Sequence, residues 1–229
     1  MRLDEAIRER KSVRAFKSDP VPKEVLCEIL SAAQRAPSWA NTQPWGFVVA
    51  TGDELAEINR AYIEKAAAAE PTQPELAAPL GFPEPYDSRR RTVGRGLFEQ
   101  LGITREDREK RAWWGRQGLT LFGAPVVIYI LTGRDFYHQE GGTNVWAVFD
   151  CGLVAENIML LALDHGLGTV PAIQAVMYPE VLRKTLAIAD SSLIVLGIGI
   201  GYEDESSPVS HFRSGRESSD SITSWHGFG

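Results

Sequence analysis

The chain has 229 residues, of which 44% are hydrophobic and 24% are charged, with a formal net charge of −6 and a pI of about 5.3. This composition excludes a disordered or collagen-like chain, and the length allows a core large enough to fold without a disulfide or a metal. The acidic balance argues against a nucleic-acid-binding protein, although a local basic patch remains open.

The amino-terminal half shows helical and strand patterns that are separated by one long proline-rich segment. Residues 71–87 carry five prolines, which predicts an irregular surface excursion rather than a helix or a strand. The helical pattern that follows at 104–121 opens with Thr104 and Asp107 in a capping-box-like arrangement. In chain order, we predict helices at residues 2–10 and 22–36, a strand at 45–50, and helices at 53–69, 88–101 and 104–121.

The carboxyl-terminal half alternates strands with helices and ends in a polar tail at residues 202–229, which we expect to drape over the rest of the protein. The predicted helix at 143–165 is apolar nearly all round, so we expect it to be buried on all sides, at the centre of a dimer. The alternation of strands and helices predicts an α/β or α+β fold in a single domain of residues 1–229. The remaining elements are strands at 125–131, 167–172 and 192–201 and a helix at 179–188.

Nothing in the sequence indicates secretion, a membrane span or a metal site. Residues 1–5 are charged at once and lack the apolar core of a signal peptide, and the apolar segment at 145–163 is interrupted by two carboxylates and an amide. We therefore expect a cytoplasmic protein that contacts neither membrane nor nucleic acid, with Cys27 and Cys151 as buried thiols. The scattered histidines lack the spacing of metal ligands, which argues against metal catalysis. They are His138, His165, His211 and His226.

Three alternate glycines, Gly197, Gly199 and Gly201, look briefly like a nucleotide-binding fingerprint. They fall inside and at the end of a predicted strand, however, and no helical pattern follows them. A dinucleotide-binding turn needs the amino terminus of a helix at this point. We interpret these glycines as positions where the strand packs closely against its neighbours.

Residues 10–16 (RKSVRAF) form the first segment that carries chemistry. In an extended chain, Arg10, Ser12 and Arg14 point to one side, with each successive pair about 6–7 Å apart. Two guanidinium groups and a hydroxyl on one edge suit a phosphate and the polar chain attached to it. Taken alone, a solvated basic turn is the simpler interpretation.

Residues 37–45 (PSWANTQPW) form the second such segment. Its hydrogen-bonding side chains can pair with an amide-like ring, and its prolines stiffen the backbone. A polar loop between a helix and a strand explains this segment equally well by itself. The two segments together are much more specific than either one.

Together the two segments resemble the signature of the nitroreductase family of flavin enzymes. The shared pattern is R-x-S-x-R-x-F near the amino terminus, followed by P-S-x-x-N-x-Q-P-W. Further similarities run along the whole chain, at residues 122–125 (FGAP), 166–169 (GLGT) and 199–201, and in the tail at 212–216 and 225–228.

The resemblance implies an α+β fold with a central, mostly antiparallel sheet flanked by helices, in an intertwined homodimer that binds FMN at two interface sites. It implies an oxidoreductase in which NADH or NADPH passes hydride to the flavin N5. A nitroaromatic or quinone acceptor then takes two electrons in the same pocket, with ping-pong kinetics. No side chain is assigned as a catalytic acid or base. The alternatives are a flavoenzyme of the same fold that reduces enones, dehalogenates or cleaves flavin, and a flavin sensor or carrier without turnover.

The same resemblance implies which residues contact the cofactor. Arg10, Ser12 and Arg14 would bind the FMN phosphate, ribityl chain and pyrimidine edge, with help from the backbone of Lys11. Four residues would reach the same flavin from the other subunit, namely Pro37, Ser38, Trp39 and Asn41. Four more would line one flavin face, namely Pro171, Ala172, Ile173 and Gln174. From the tail, Arg213 and Arg216 would complete the phosphate cage.

The variable segment at residues 71–118 would frame the substrate channel as a lid. Its aromatic side chains are candidates for a roof over the substrate, namely Tyr86, Phe98, Trp113 and Trp114. For Trp113 and Trp114, a place in the helix core or in a dimer contact is the simpler interpretation, because adjacent helix positions cannot both face one pocket.

Two features depart from the family pattern or stay open. Trp39 and Ala40 stand where several relatives have small hydroxyl residues, which would add an indole near the flavin. Three successive arginines at residues 89–91 would steer anionic substrates toward the lid, although a solvated helix face explains them more simply.

Overall fold

A four-stranded sheet with helices on both faces is the frame of the protein, and the computed structural model describes residues 1–139 and 142–228. The helices are α1 (Leu3–Glu9), α2 (Lys23–Ala33), α3 (Gly52–Ala67), α4 (Tyr86–Gln100), α5 (Arg108–Leu119), α6 (Arg134–Tyr137), α7 (Trp146–Asp164), α8 (Pro179–Leu186) and α9 (Ser219–Ile222). The strands are β1 (Trp45–Thr51), β2 (Val126–Gly133), β3 (His138–Gln139), β4 (Gly142–Thr143), β5 (Gly168–Ala172) and β6 (Ser192–Gly201). Short 3₁₀ turns lie at Trp39–Asn41, Leu121–Gly123, Ile173–Val176 and Pro208–His211.

The main sheet has the strand order β1-β2-β6-β5, and each neighbouring pair in it is antiparallel. This confirms the expected α+β class with an antiparallel sheet. Strand β2 is buried along almost its whole length, because helices cover both faces of the sheet, and its sequence is correspondingly a continuous apolar run. The small β3–β4 hairpin and helix α6, between β2 and α7, are elements that the sequence analysis did not anticipate.

Two apolar layers form the core, one on each face of this sheet. Because strand side chains alternate between faces, Ile128 points to the layer of α2 and α7, where it meets Ile29 and Ile158. Its neighbour Tyr129 points to the opposite layer, which α3 and α8 complete with Tyr62 among other residues. The sheet is therefore a rigid platform whose edge strands, β1 and β5, carry the loops of interest.

The glycines of β6 are close-packing positions, as the sequence analysis proposed. A Cβ atom added at Gly197 would collide with the side chain of Ala175, and one added at Gly201 would lie 2.5 Å from Cδ of Pro125. Glycine is needed here because the segments that flank the sheet approach the strand backbone directly.

Helix α7 is buried on one side within a single chain, and its burial on all sides at the centre of a dimer stays a prediction. Eight of its residues are buried against the sheet and α2, but Trp146 is 51% exposed and Phe149 is 58% exposed. By length and composition this helix could cross a membrane, a test that the core helix of a globular fold also passes. Its inner side packs as a core helix does.

Two local expectations, the burial of Cys27 and the first residue of α5, are wrong. Cys151 is buried in α7, but Cys27 lies on the exposed side of α2, because the apolar face of that helix turns Leu26 and Ile29 inward instead. Helix α5 begins at Arg108 rather than 104, since the side chain of Asp107 caps it by accepting a hydrogen bond from the N–H of Lys110 at 3.0 Å.

The proline-rich segment between α3 and α4 is irregular, as expected, and is held down by one carboxylate. Oε1 of Glu75 lies 2.5 Å from Nη2 of Arg134 and 2.7 Å from Nη2 of Arg183. Oε2 accepts the backbone N–H of Ile194 at 2.7 Å. Glu75 thus ties the excursion to the beginning of β6.

The first part of the polar tail packs on the molecule as predicted, whereas the terminal aromatics Trp225 and Phe228 are exposed. The ring of Phe212 packs against Gly96 of α4, and Arg213 forms an ion pair with Glu9 of α1. The tail therefore links α4 to the end of α1.

Candidate functional site

Residues 10–16 run along the edge of the sheet beside β5. Ser12 forms a parallel bridge with Thr169, and the N–H of Val13 donates to the carbonyl oxygen of Thr169 at 2.9 Å. The side chain of Val13 is buried, so alternation turns its neighbours Ser12 and Arg14 to the opposite side, while Arg10, at the end of α1, lines the same cavity as Val13. The structure thus makes the segment extended, as the sequence analysis assumed.

Arg14 is a desolvated cation. Its Nη1 donates to the carbonyl oxygen of Ser12 at 3.1 Å, and within the described residues no carboxylate lies within 4.0 Å of its guanidinium group. Burial lowers its pKa below the ordinary value. Because a desolvated charge without an anionic partner is costly, this position suits a bound group that carries negative charge.

Arg10 and Lys11, in contrast, already have acidic partners. Nε of Arg10 lies 3.4 Å from Oε1 of Glu156, while Nζ of Lys11 lies 2.7 Å from Oε1 of Glu203 and donates to the carbonyl oxygen of Ser210 at 2.5 Å. The Lys11 side chain thus fastens the segment to the tail, which leaves its backbone for other contacts.

A cavity of about 520 Å³ lies beside this segment. Arg10, Lys11 and Thr169 line it together with Arg213 from the tail. The volume falls in the range of about 300–1,000 Å³ that is usual for small-molecule sites. The structure therefore brings one of the two predicted tail arginines to the amino-terminal segment.

The second tail arginine is not brought to the same place. Among the described residues, Nη1 of Arg216 donates to its own neighbours, Oγ and O of Ser214 and O of Gly215. Arg213 instead donates to the backbone oxygens of Arg8 and Glu9, next to Arg10.

The predicted residues 171–174 lie at the end of β5 and in the turn that follows it. All four are half-buried. The single bridge between Ser12 and Thr169 places the amino-terminal segment beside β5, and a bridge from Phe16 to Glu203 then holds it just beyond the end of β6. The first group of predicted cofactor residues therefore lies against the strand that leads into the third group.

The loop at residues 37–43 has an unusual backbone. Ala40, Asn41 and Gln43 have φ angles of 49°, 56° and 47°, in the left-handed region that non-glycine residues seldom adopt. The N–H of Gln43 donates to Oγ of Ser38 at 2.9 Å, and the N–H of Trp39 donates to Oδ2 of Asp150 at 3.1 Å. Such local strain persists only where neighbouring contacts impose it, and it concentrates at functional sites.

This loop forms an apolar cavity of about 470 Å³ with α7. Trp39, which is 63% exposed, meets Trp146 edge to face with ring centroids 5.7 Å apart. The other lining residues are Pro37, Ser38, Phe149, Asp150 and Leu153.

The apolar cavity and the arginine-lined cavity share no lining residue. Their contacts on α7, Asp150 and Glu156, lie about 9 Å apart along the helix axis and about 120° apart around it. A single chain therefore does not bring residues 37–41 to the edge where Arg10 and Arg14 lie.

The four predicted substrate aromatics do not gather in one cavity either. Tyr86 is exposed beneath the guanidinium of Arg89, and Phe98 lies under Arg111 with 4.1 Å between the guanidinium carbon and the ring centroid. Trp114 packs on Phe122 with centroids 5.0 Å apart, while Trp113 beside it is exposed. Trp114 thus packs α5 against the turn at Leu121–Gly123, and the role of the exposed Trp113 stays a prediction.

Sequence reasoning missed Asp150 as a site residue. It is buried, and its carboxylate holds the strained loop through the N–H of Trp39. The available signal was a carboxylate inside an otherwise apolar helix, since buried carboxylates are kept only where they have a partner.

Comparisons with known proteins agree with this architecture. A model of the nitroreductase family matches residues 7–202. The nitrobenzene nitroreductase of Ectopseudomonas oleovorans is 36% identical over 211 residues, which are 90% of this chain and 88% of that protein. The crystal structure of the FMN and NADPH-dependent nitroreductase NfnB from Sphigopyxis sp. strain HMH superposes with a TM-score of 0.92 at 34% identity, over 100% of both chains. NfnB from Mycobacterium smegmatis in complex with NADPH gives a TM-score of 0.88 at 26% identity, over 97% of both chains.

Proposed function

The chain belongs to the nitroreductase family, and from this premise we propose that it is an FMN-dependent oxidoreductase that uses NAD(P)H to reduce nitroaromatic or quinone acceptors. The observation that carries the proposal is the desolvated guanidinium of Arg14, which has no carboxylate within 4.0 Å among the described residues and belongs to the segment that runs beside β5. The relatives whose names describe nitrobenzene and chloronitrobenzene reduction support nitroaromatic acceptors.

The residues at this edge fit FMN. Arg10 and Arg213 line a cavity in which their fixed charges suit the phosphate, and Ser12 suits the ribityl hydroxyls. When bound, FMN supplies hydride transfer at its N5. Arg14 would face the pyrimidine edge and stabilise negative charge there by a preorganised electrostatic contact. Residues 171–174 would lie against one face of the ring and exclude water from it.

A second copy of the chain would complete each site. Trp39, Trp146 and Phe149 expose a continuous aromatic surface at the amino-terminal end of α7. Exposed apolar patches of this kind mark protein interfaces. In a homodimer that covers this surface, Pro37, Ser38, Trp39 and Asn41 of one copy would reach the flavin held by Arg10 and Arg14 of the other.

The reaction would follow ping-pong kinetics in a shared pocket. The nicotinamide and the acceptor would occupy the same open face of the ring in turn, so neither needs a separate catalytic side chain. The acidic net charge is consistent with an enzyme that acts on small molecules rather than on nucleic acid.

An absorbance spectrum of the purified protein, followed by anaerobic addition of NADPH or NADH, tests this function. We expect one FMN per chain, rapid bleaching of the flavin bands, and recovery of the colour when a nitroarene is added. Bleaching without recovery by any nitroarene or quinone would favour a specialised flavoenzyme of the same fold. Bound flavin that neither nucleotide bleaches would favour a sensor or carrier, and protein that cannot be reconstituted with FMN would refute the assignment of Arg10 and Arg14.

A further inference from the structure

Five arginines from three consecutive segments surround one cavity on the lid excursion. The cavity measures about 410 Å³, and its arginines are Arg90, Arg91 and Arg95 from α4, Arg105 from the following loop and Arg111 from α5. We call it the arginine pocket. Gly94, Phe98, Glu99 and Ile103 complete its lining. The helix face that seemed a solvated run of charge is thus one wall of a concave site.

The charges of this pocket are only partly balanced. Arg90 pairs with Asp87 at 2.7 Å, and Arg91 pairs with Glu84 at 2.5 Å, both at the beginning of α4. Arg95, Arg105 and Arg111 form no ion pair with any residue in the part of the chain that the structure describes. Since like charges around one cavity repel each other, a bound anion would stabilise this arrangement.

The pocket is also built to keep its cations in place. The guanidinium carbon of Arg111 lies 4.1 Å from the centroid of the Phe98 ring, a cation–π contact that holds this cation at the pocket. At Gly94 an added Cβ would meet no atom within 4 Å, so the helix wall is open at this level. Planar guanidinium groups around an open floor match the oxygens of a phosphate.

The helix that carries the pocket is tied to the proposed flavin site. On another side of α4, Gly96 packs against Phe212, and Arg89 pairs with Glu217 at 2.9 Å. The adjacent tail residue Arg213 reaches Glu9. The arginine pocket and the Arg10 segment therefore belong to one connected frame, although they are separate cavities.

We propose that the arginine pocket binds a phosphate monoester, and that the adenosine 2′-phosphate of NADPH supplies it. The proposal rests on the proposed function, because NADPH is the electron donor of that function. A dinucleotide carries its adenosine phosphate far from the nicotinamide, so the phosphate needs a site that is distinct from the flavin pocket. Free phosphate is the other source of the same chemistry.

The experiment compares the variant Arg95→Gln/Arg105→Gln with a matched control, Arg108→Gln/Arg116→Gln. All four arginines are exposed and lie between residues 95 and 116. The two variants lose the same charge, but Arg108 and Arg116 do not line the arginine pocket. Calorimetric titration of the holoprotein with adenosine 2′,5′-bisphosphate and with adenosine 5′-monophosphate measures binding without turnover. The single variant Arg95→Glu provides a second perturbation of the same pocket.

For the wild type and the control, we expect the bisphosphate to bind at least tenfold more tightly than the monophosphate, and the pocket variants to lose this difference. The KM for NADPH should rise about tenfold in the pocket variants, while the KM for NADH changes less than twofold. Inorganic phosphate should compete with NADPH in the wild type and not in the pocket variants.

Three outcomes would overturn the inference. An unchanged ratio of KM values in a variant that still oxidises both nucleotides would refute the pocket while leaving the proposed function intact. Tight inorganic phosphate binding without any preference for NADPH or the bisphosphate would make free phosphate the ligand and refute the nucleotide as its source. If the control and the pocket variants lost the preference for the bisphosphate equally, the effect would come from overall charge and not from the arginine pocket. If no variant and no wild-type protein oxidises either nucleotide, the proposed function fails instead, and the bisphosphate titration still decides whether the pocket binds phosphate.

Discussion

The substitution Glu75→Gln should release the lid excursion from the sheet and destabilise the protein. The side chain of Glu75 is only 12% exposed, and its two oxygens receive Arg134, Arg183 and the N–H of Ile194. Burial by itself acts to raise the pKa of this carboxyl, but the hydrogen bond from Ile194 and those from the two guanidinium groups outweigh it, so that the pKa lies below its ordinary value. The amide of glutamine keeps the shape and removes the charge.

The size of the loss in stability depends on the hydrogen bonds that Arg134 and Arg183 keep in the variant. Breaking a fully buried ion pair costs about 3–5 kcal/mol. Here Arg134 is 36% exposed and retains the carbonyl oxygen of Asp190, while Arg183 retains those of Ala189 and Ser192. We therefore expect a loss of about 2 kcal/mol at neutral pH, or a fall in Tm of about 4–8 °C for a chain of this size.

The pH dependence provides a second, independent readout. Because the folded-state pKa of Glu75 lies below the unfolded value, its contribution to stability is fully present above the ordinary pKa of 4.5. That contribution is lost as the pH falls through the folded-state pKa, when the folded carboxylate takes up its proton. The difference in stability between the wild type and Glu75→Gln should therefore shrink as the pH falls below 4.5.

Thermal unfolding at equal protein concentration, measured from pH 7 downward, checks both expectations. Glu70→Gln is the matched control, since Glu70 is an exposed carboxylate that pairs with Lys65, and Lys65 keeps Glu180 as a partner. Pairs of this kind contribute little, so its Tm should stay close to that of the wild type. A Glu75→Gln protein that melts with the wild type at pH 7, or a difference that does not shrink in acid, would refute the reasoning.

Three further perturbations test the site. Arg14→Met should lower FMN affinity at least tenfold, measured by fluorescence titration of the apoprotein, because a neutral side chain cannot compensate a charged ligand; retention of full affinity would contradict the assignment. Phe149→Glu should yield a folded monomer by size-exclusion chromatography, since the ring is exposed in the single chain, and a dimer that persists would exclude this surface as the interface. Iodoacetamide should alkylate the exposed Cys27 and spare Cys151, for which burial first and the charge of Asp150 second raise the pKa to about 12, as mass spectrometry of the intact protein will show.

The local sequence largely determines the secondary-structure elements and the motif segments. Apolar residues at helical spacing located α2 and α3, and five prolines located the irregular excursion to within a few residues. The predicted beginning of α5 is less accurate, because Thr104 and Asp107 are both good N-caps and only the tertiary structure selects Asp107. Local patterns succeed here because the periodicity of an element is a property of its own residues.

Side-chain orientation on an all-apolar helix could not be predicted from the sequence. Helix α7 has no polar stripe, so its sequence does not show which side faces the sheet and which side, with Trp146 and Phe149, is exposed in a single chain. The prediction that Cys27 is buried is wrong for a related reason, since a thiol is tolerated on either side of an amphipathic helix.

The sequence by itself determined most of the strand and helix order and the nitroreductase resemblance, from which the antiparallel α+β sheet followed, because each depends on residues close together in the chain or on a complete motif. Only the tertiary structure showed that Asp150 holds the strained loop at Trp39 and that Glu75 fastens the lid. Only it gathered arginines from α4, α5 and their loop into one pocket. The residues in these contacts are far apart in the chain, and sequence separation alone does not fix their distance in space. The packing of the helices on the sheet determines these contacts, and no local pattern does.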